Sequence, residues 1–223
     1  MRKPGKFLFE GLLVGGLLAA ALFPAPAAGK ENPAQEQEQK VDPAEIRRLI
    51  DDLKNKNPKV RRDAAVALTR WGVKGKEAAP ALVAALKDKD PVVRQNSIDA
   101  LGEMKVAVPG LIPSLIGVLK DEEFLVRLKA AETLGKLGPQ AAKAIPALTE
   151  VLGDKKGLVR AFAAEALAKV APPQQAVPLL VQALKDPEQI VRLRTVGALE
   201  SIKTPEAQRA LEEYKKEQSV RRE

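Results

Sequence analysis

The chain has 223 residues and a mass of 24.0 kDa, room for one or two domains. Its 37 Lys and Arg stand against 29 Asp and Glu, a formal charge of +8, with 45% apolar residues and only seven aromatics. It contains neither cysteine nor histidine, which excludes disulfides, thiolate or imidazole metal sites, Cys and Ser–His nucleophile systems and any histidine general base.

The first element is an address. Arg2, Lys3 and Lys6 precede an apolar stretch over 11–23, followed by Pro24-Ala25-Pro26-Ala27-Ala28 with small residues in an A-x-A arrangement. A basic start, an apolar middle and a small-residue site read as a secretory signal over 1–27. The stretch is short against the about 20 residues that span a bilayer; the alternative is an uncleaved anchor over 7–23 that tolerates Glu10. Cleavage after Ala27 would leave a chain of net charge +6. With no cysteine after the apolar stretch, lipid attachment to a new N-terminal Cys is ruled out. The expected location is exported, periplasmic or extracellular, with a membrane-anchored form as the alternative. Residues 28–41 are polar and rich in Gln and Glu, without a periodic apolar face, and read as a flexible linker.

From there one unit recurs. Arg61, Arg94, Arg127, Arg160 and Arg192 follow one another at steps of 33, 33, 33 and 32, and Pro80, Pro113, Pro146 and Pro178 at 33, 33 and 32. Two independent markers in one register define a repeat array. After each arginine, small and apolar residues fall at helical spacing: Ala64, Ala65, Ala67 and Leu68, then Ala130, Ala131, Thr133 and Leu134, then Ala163, Ala164, Ala166 and Leu167. After each proline a leucine stands two and six residues on: Leu82 and Leu86, Leu115 and Leu119, Leu148 and Leu152, Leu180 and Leu184. Each unit is therefore a hairpin of two amphipathic helices, with Gly72, Gly102, Gly135 and Gly138 expected at helix ends. The prolines belong in a first turn or at a kink. First helices are expected near 58–70, 91–103, 123–136, 156–169 and 187–201. Second helices are expected near 76–87, 109–120, 140–152, 174–185 and 205–217. No segment favours a β-strand.

The D-P-x-V-R start (Asp90–Arg94), the A-A-x-A-L body and the proline-led second helix resemble short HEAT repeats, the HEAT-like or phycobilin-lyase variety. The resemblance runs from Asp42 to about Lys216. It implies an all-α, right-handed solenoid of about five hairpins over 42–217: an N-terminal cap helix over 42–54, then repeats near 57–87, 90–120, 123–152, 156–185 and 187–217. The charged last helix would be the polar cap, and 218–223 a disordered tail. In such proteins second helices line the concave face. The off-core positions one and four after each proline are Ala81 and Ala84, Ser114 and Gly117, Ala147 and Glu150, and Leu179 and Gln182. That face reads as small, mildly apolar and nearly uncharged, suited to a partner helix or peptide; the alternative is that these residues only keep hairpins close.

The arginines stand opposite a second series, Asp88, Asp121, Asp154 and Asp186, with Asn55 at the first position. The resemblance implies Asp–Arg bonds between adjacent repeats; the alternative is a row of phosphate-binding guanidinium groups. The basic cluster Lys54, Lys56, Lys59, Arg61 and Arg62 suggests anionic lipid or nucleic acid. Against specific nucleic-acid binding, outer helix positions mix signs, and the chain beyond residue 27 offers only Trp71, Phe124, Phe162 and Tyr214 for stacking. Trp71, before Gly72, reads as a packing plug. HEAT-like di-iron enzymes need His–Glu ligand pairs, and the acidic pairs Asp51/Asp52 and Glu122/Glu123 sit at solvated helix ends. The expectation is a non-enzymatic scaffold with no cofactor and no metal, whose partner is another protein or peptide.

Overall fold

The computed structural model describes residues 42–105 and 108–220; the signal (1–27) and linker (28–41) expected from the sequence lie outside them. Every regular element among the described residues is helical. A lone helix, α1 (Pro43–Asp52), comes first. Five first helices of 14 residues each follow the repeat: α2 (Pro58–Trp71), α4 (Pro91–Met104), α6 (Phe124–Leu137), α8 (Gly157–Val170) and α10 (Gln189–Ile202). Between and after them run the second helices α3 (Ala79–Ala85), α5 (Leu111–Val118), α7 (Ile145–Val151), α9 (Pro173–Ala183) and α11 (Pro205–Val220). Each first helix packs on the next, and each of α3, α5, α7 and α9 packs on the first helix that follows it. The described residues therefore form an α-solenoid of helical hairpins.

Local chemistry sets the boundaries. Asp42, Asn57 and Asp90 cap α1, α2 and α4, each accepting the backbone N–H two residues on, with proline at the first helical position. The cap residues Glu123, Lys156 and Glu188 make no such bond; their own N–H groups donate to Asp121, Asp154 and Asp186 at 2.8–2.9 Å. α4, α6, α8 and α10 thus begin from a turn held by a carboxylate, and α2 from one held by the amide oxygens of Asn55 and Asn57.

Two expectations about the hairpins are corrected. The second helices of the first and third repeats do not run unbroken over 76–87 and 140–152: a 3-10 segment, Gly72–Ala78 or Gly138–Ala144, precedes the α-helix. Gly72 and Gly138 reverse the chain there with φ of 47° and 60°, a region that only glycine occupies freely. Gly102 and Gly135 are not helix ends but lie inside α4 and α6. A Cβ at Gly135 would sit 3.1 Å from the Ala166 Cα, and one at Gly102 3.3 Å from the Thr133 hydroxyl; both are the small residues that let first helices approach closely. The prolines fall in first turns in α3, α5 and α7, while Pro178 lies inside α9. The last helix extends through Val220, so 218–220 is helical rather than tail.

The core is the stripe of small residues and leucines. Ala64, Ala65 and Leu68, Ala130, Ala131 and Leu134, and Ala163, Ala164 and Leu167 are all buried, facing buried Leu82, Leu115, Leu148 and Leu180 from the second helices. Trp71 packs half-buried against this core, as a plug does.

Candidate functional site

The eight positions marked on the second helices divide regularly. Ala81, Ser114, Ala147 and Leu179, one residue after each proline, are half-buried; Ala81, Ala147 and Leu179 pack against core residues. Ala84, Gly117, Glu150 and Gln182, four after each proline, are exposed in every repeat. Only the second set forms a free face. Two clefts open on it, each between successive second helices and the turns that follow. One, of about 450 Å³, is lined by Lys120, Ala147, Glu150, Asp154 and Lys155 among others. The other, of about 330 Å³, is lined by Thr149, Leu152, Leu179, Gln182 and Lys185 among others.

This face is not nearly uncharged, as its small residues suggested. Glu150 meets Lys120 of the preceding repeat at 3.1 Å, both side chains well exposed. Lys120 is itself one of a column: Lys54 follows the residue that caps α1, and Lys87, Lys120 and Lys185 follow those that cap second helices, with Gly153 in the fourth place. All four lysines are exposed, and each stands where the helix dipole favours a cation. The signal was legible in the sequence, since these lysines share the period of the prolines.

Beside the face runs the arginine ladder, and it is structural. Arg61, Arg127 and Arg160 each donate Nε and Nη2 to both carboxylate oxygens of the next repeat's Asp88, Asp154 and Asp186, at 2.6–2.9 Å. Arg94 reaches Asp121 through Nη2 alone, at 2.6 Å. Every Nη1 turns back to the carbonyl six residues earlier in its own repeat, at 2.8–2.9 Å for these four. One guanidinium therefore ties its own turn to the neighbouring one. Burial alone would push the Asp88 and Asp154 carboxyls up; the arginine hydrogen bonds, a backbone N–H and the arginine charge outweigh it and hold both below the usual carboxylate range. At Asp186 the Arg160 hydrogen bonds lead, with the same net direction. The same bonds raise all four arginines further.

The basic cluster at the start loses two members to such pairs: Arg61 to Asp88, and Arg62 to Asp90, whose carboxyl it lowers. Lys54, Lys56 and Lys59 remain exposed. Among the described residues no group of three or more Asp or Glu converges as a metal site would require. No helix among them is long and apolar enough to cross a membrane.

Repeated hairpins, a small-residue core and a guanidinium ladder define the class of helical-repeat solenoids. Within that class the chain belongs to the HEAT repeat family, whose pattern matches residues 46–109, 105–168 and 145–223. No protein of curated function matches it. Among solved structures, the complex of CpcE and CpcF of phycocyanin lyase from Nostoc sp. PCC7120 is similar at 28% identity and a TM-score of 0.57, over 70% of this chain and 99% of that one. An engineered protein is similar at 20% identity and a TM-score of 0.58, over 77% and 96%. A designed armadillo repeat protein in complex with the peptide (KR)4 is similar at 19% identity and a TM-score of 0.57, over 76% and 87%. The last two establish likeness of fold.

Proposed function

We propose that the chain is a non-enzymatic, exported scaffold that binds a protein or peptide along its second-helix face. The observation that carries this reading is the exposed column Ala84, Gly117, Glu150 and Gln182, one residue per repeat, beside clefts between successive second helices. Such periodic, rigid positions suit an extended or helical segment that meets each repeat in turn. The 28% identical structure is itself a complex of two proteins. The non-enzymatic reading rests on the chain having no histidine or cysteine and on ladder carboxylates that are already engaged by arginines.

The test is capture of partners from the extracytoplasmic fraction of the source, at low and moderate salt. Wild-type protein is compared with an Ala84→Glu/Gly117→Glu/Gln182→Glu variant, which alters exposed positions and spares the packed Ala147 and Leu179. One protein retained at both salts by wild type and lost by the variant supports the face; equal retention rejects it. N-terminal sequencing of the recovered chain checks export, with Ala28 as the expected first residue.

The second reading is a basic module docking on anionic lipid or nucleic acid. The exposed column Lys54, Lys87, Lys120 and Lys185, with Lys56 and Lys59, favours it. Its mark is retention that collapses between low and moderate salt.

A further inference from the structure

The ladder has one rung without a carboxylate. Arg192 on α10 repeats the posture of the arginines before it: its Nη1 donates to the Asp186 carbonyl at 2.7 Å and to the Pro187 carbonyl at 2.8 Å. In Arg61 and Arg127 the same anchoring to two carbonyls, and in Arg160 anchoring to one, leaves Nε and Nη2 aimed together at an aspartate of the next turn. At Arg192 no carboxylate among the described residues takes this place. The reason lies in α11: 33 residues after Asp186 stands Ser219, still inside a helix that runs to Val220, so no turn forms to present an aspartate. What lies there is a cleft of about 1020 Å³, bounded by Arg192 with Val181, Leu184, Tyr214 and Val220, and by Glu213 and Glu217 on the α11 side.

We propose that Arg192 is a binding site for an aspartate side chain of a protein partner, presented from the turn before a helix and completing the ladder by one rung. The internal rungs define the ligand. Each holds an aspartate whose own Oδ1 also accepts the backbone N–H two residues on, at 2.9 Å for Asp88 and Asp121 and 2.8 Å for Asp154. A guanidinium edge held in place by two carbonyls matches a planar carboxylate bidentately, and half-burial strengthens the pair. The apolar side of the cleft accepts the first helical residues that follow the turn. The rest of the rim is mixed in sign, Lys185 and Lys216 beside Glu213 and Glu217, so it admits both the aspartate and the lysines that follow it in the internal turn Asp154-Lys155-Lys156. The site adjoins the last cleft of the second-helix face, sharing Lys185 and Asp186 with it, but it contains none of Ala84, Gly117, Glu150 and Gln182, so a test at Arg192 separates it from the function proposed above.

The test uses the full-length protein, labelled with 15N-arginine, and a capped synthetic peptide copying the internal turn Leu152–Val159 (LGDKKGLV). The expected result is a saturable shift of the Arg192 Nε–H signal. A peptide carrying Asp154→Asn, alike in all but charge, should bind about tenfold more weakly or worse, the worth of a charge-assisted hydrogen bond. Arg192→Gln should abolish binding. Arg194→Gln, which removes the same charge from a residue that pairs with Glu165, should leave it unchanged. Equal binding of the Asp and Asn peptides, or no shift at Arg192 up to millimolar peptide, overturns the proposal. Because the peptide comparison alters nothing in the protein, a folding defect in Arg192→Gln cannot obscure the outcome.

Discussion

Asp154→Asn tests the ladder where it is tightest. Asp154 accepts Arg127 Nε at 2.6 Å and Nη2 at 2.9 Å, with side-chain exposures of 10% and 6%, and accepts the Lys156 N–H at 2.8 Å. Asparagine keeps one acceptor oxygen, so the Lys156 bond and one arginine bond survive. The other oxygen becomes an amide facing a guanidinium, and the buried cation loses its counter-charge. Removing one partner of a fully buried pair costs about 3–5 kcal/mol. Here the guanidinium keeps its carbonyl acceptors, Asp121 and Glu122, and the rung lies at the edge of the core, so the expected loss is about 2 kcal/mol. For a folded body of this size that lowers the melting temperature by about 4–8 °C. Thermal unfolding followed by circular dichroism reads it, and hydrogen exchange should show the loss concentrated at the α6–α8 junction. A shift below about 1 °C refutes the reasoning, because it would mean that the rung is solvated decoration.

The same bonds set a pH dependence: Asp88, Asp90, Asp154 and Asp186 are held below their ordinary values in the folded chain. The unfolded chain then binds more protons, so stability should be full above about pH 4 and fall as pH drops through the lowered folded values; a urea midpoint unchanged between pH 6 and pH 3 would contradict this. Lys120 and Glu150 are 71% and 65% exposed, so Lys120→Ala should change stability by less than about 0.5 kcal/mol, measured by denaturant unfolding. Gly197→Ala meets nothing within 4 Å inside α10 and should stabilise by about 0.5–1 kcal/mol. Gly135→Val, facing Ala166 at 3.1 Å, should destabilise by about 2 kcal/mol or more through overpacking; the reverse order of melting temperatures would reject the close-approach account.

The hairpins were legible because proline, arginine and leucine recur at one interval, and interval survives without any knowledge of packing. What depended on packing was not. A glycine that ends a helix and one that admits a neighbouring helix look alike in sequence; Gly138 and Gly135 differ only in φ and in the nearness of Ala166. The divided second helices escaped for a similar reason, since 3-10 and α turns share nearly the same apolar spacing. The candidate face was half legible. With about 100° per residue, the core leucines two and six after each proline lie within about 40° of each other. The position four after then points almost opposite them, while the position one after lies about 120° away, at the flank. Helical angle therefore already separates exposed Gln182 from half-buried Leu179, a distinction that counting off-core positions together erased.

Net charge does not say which basic residues are already paired. A formal +8 invites a polyanion partner, and the ladder leaves that excess unchanged: Arg61, Arg94, Arg127 and Arg160 each pair with an aspartate that also shapes a helix start, removing one charge of each sign. The lysine column is part of the basic charge that stays exposed, with Lys56 and Lys59 beside its first member, and it stands where the helix dipole favours a cation. Joining is thus the ladder's work, and it fixes one hairpin on the next at a set spacing. A partner that reads Ala84, Gly117, Glu150 and Gln182 meets positions held before it arrives, with less ordering cost to bear on binding. Among the described residues Arg192 is the one ladder arginine that meets no aspartate of a following turn, and the rung proposed for it is completed by a partner's turn.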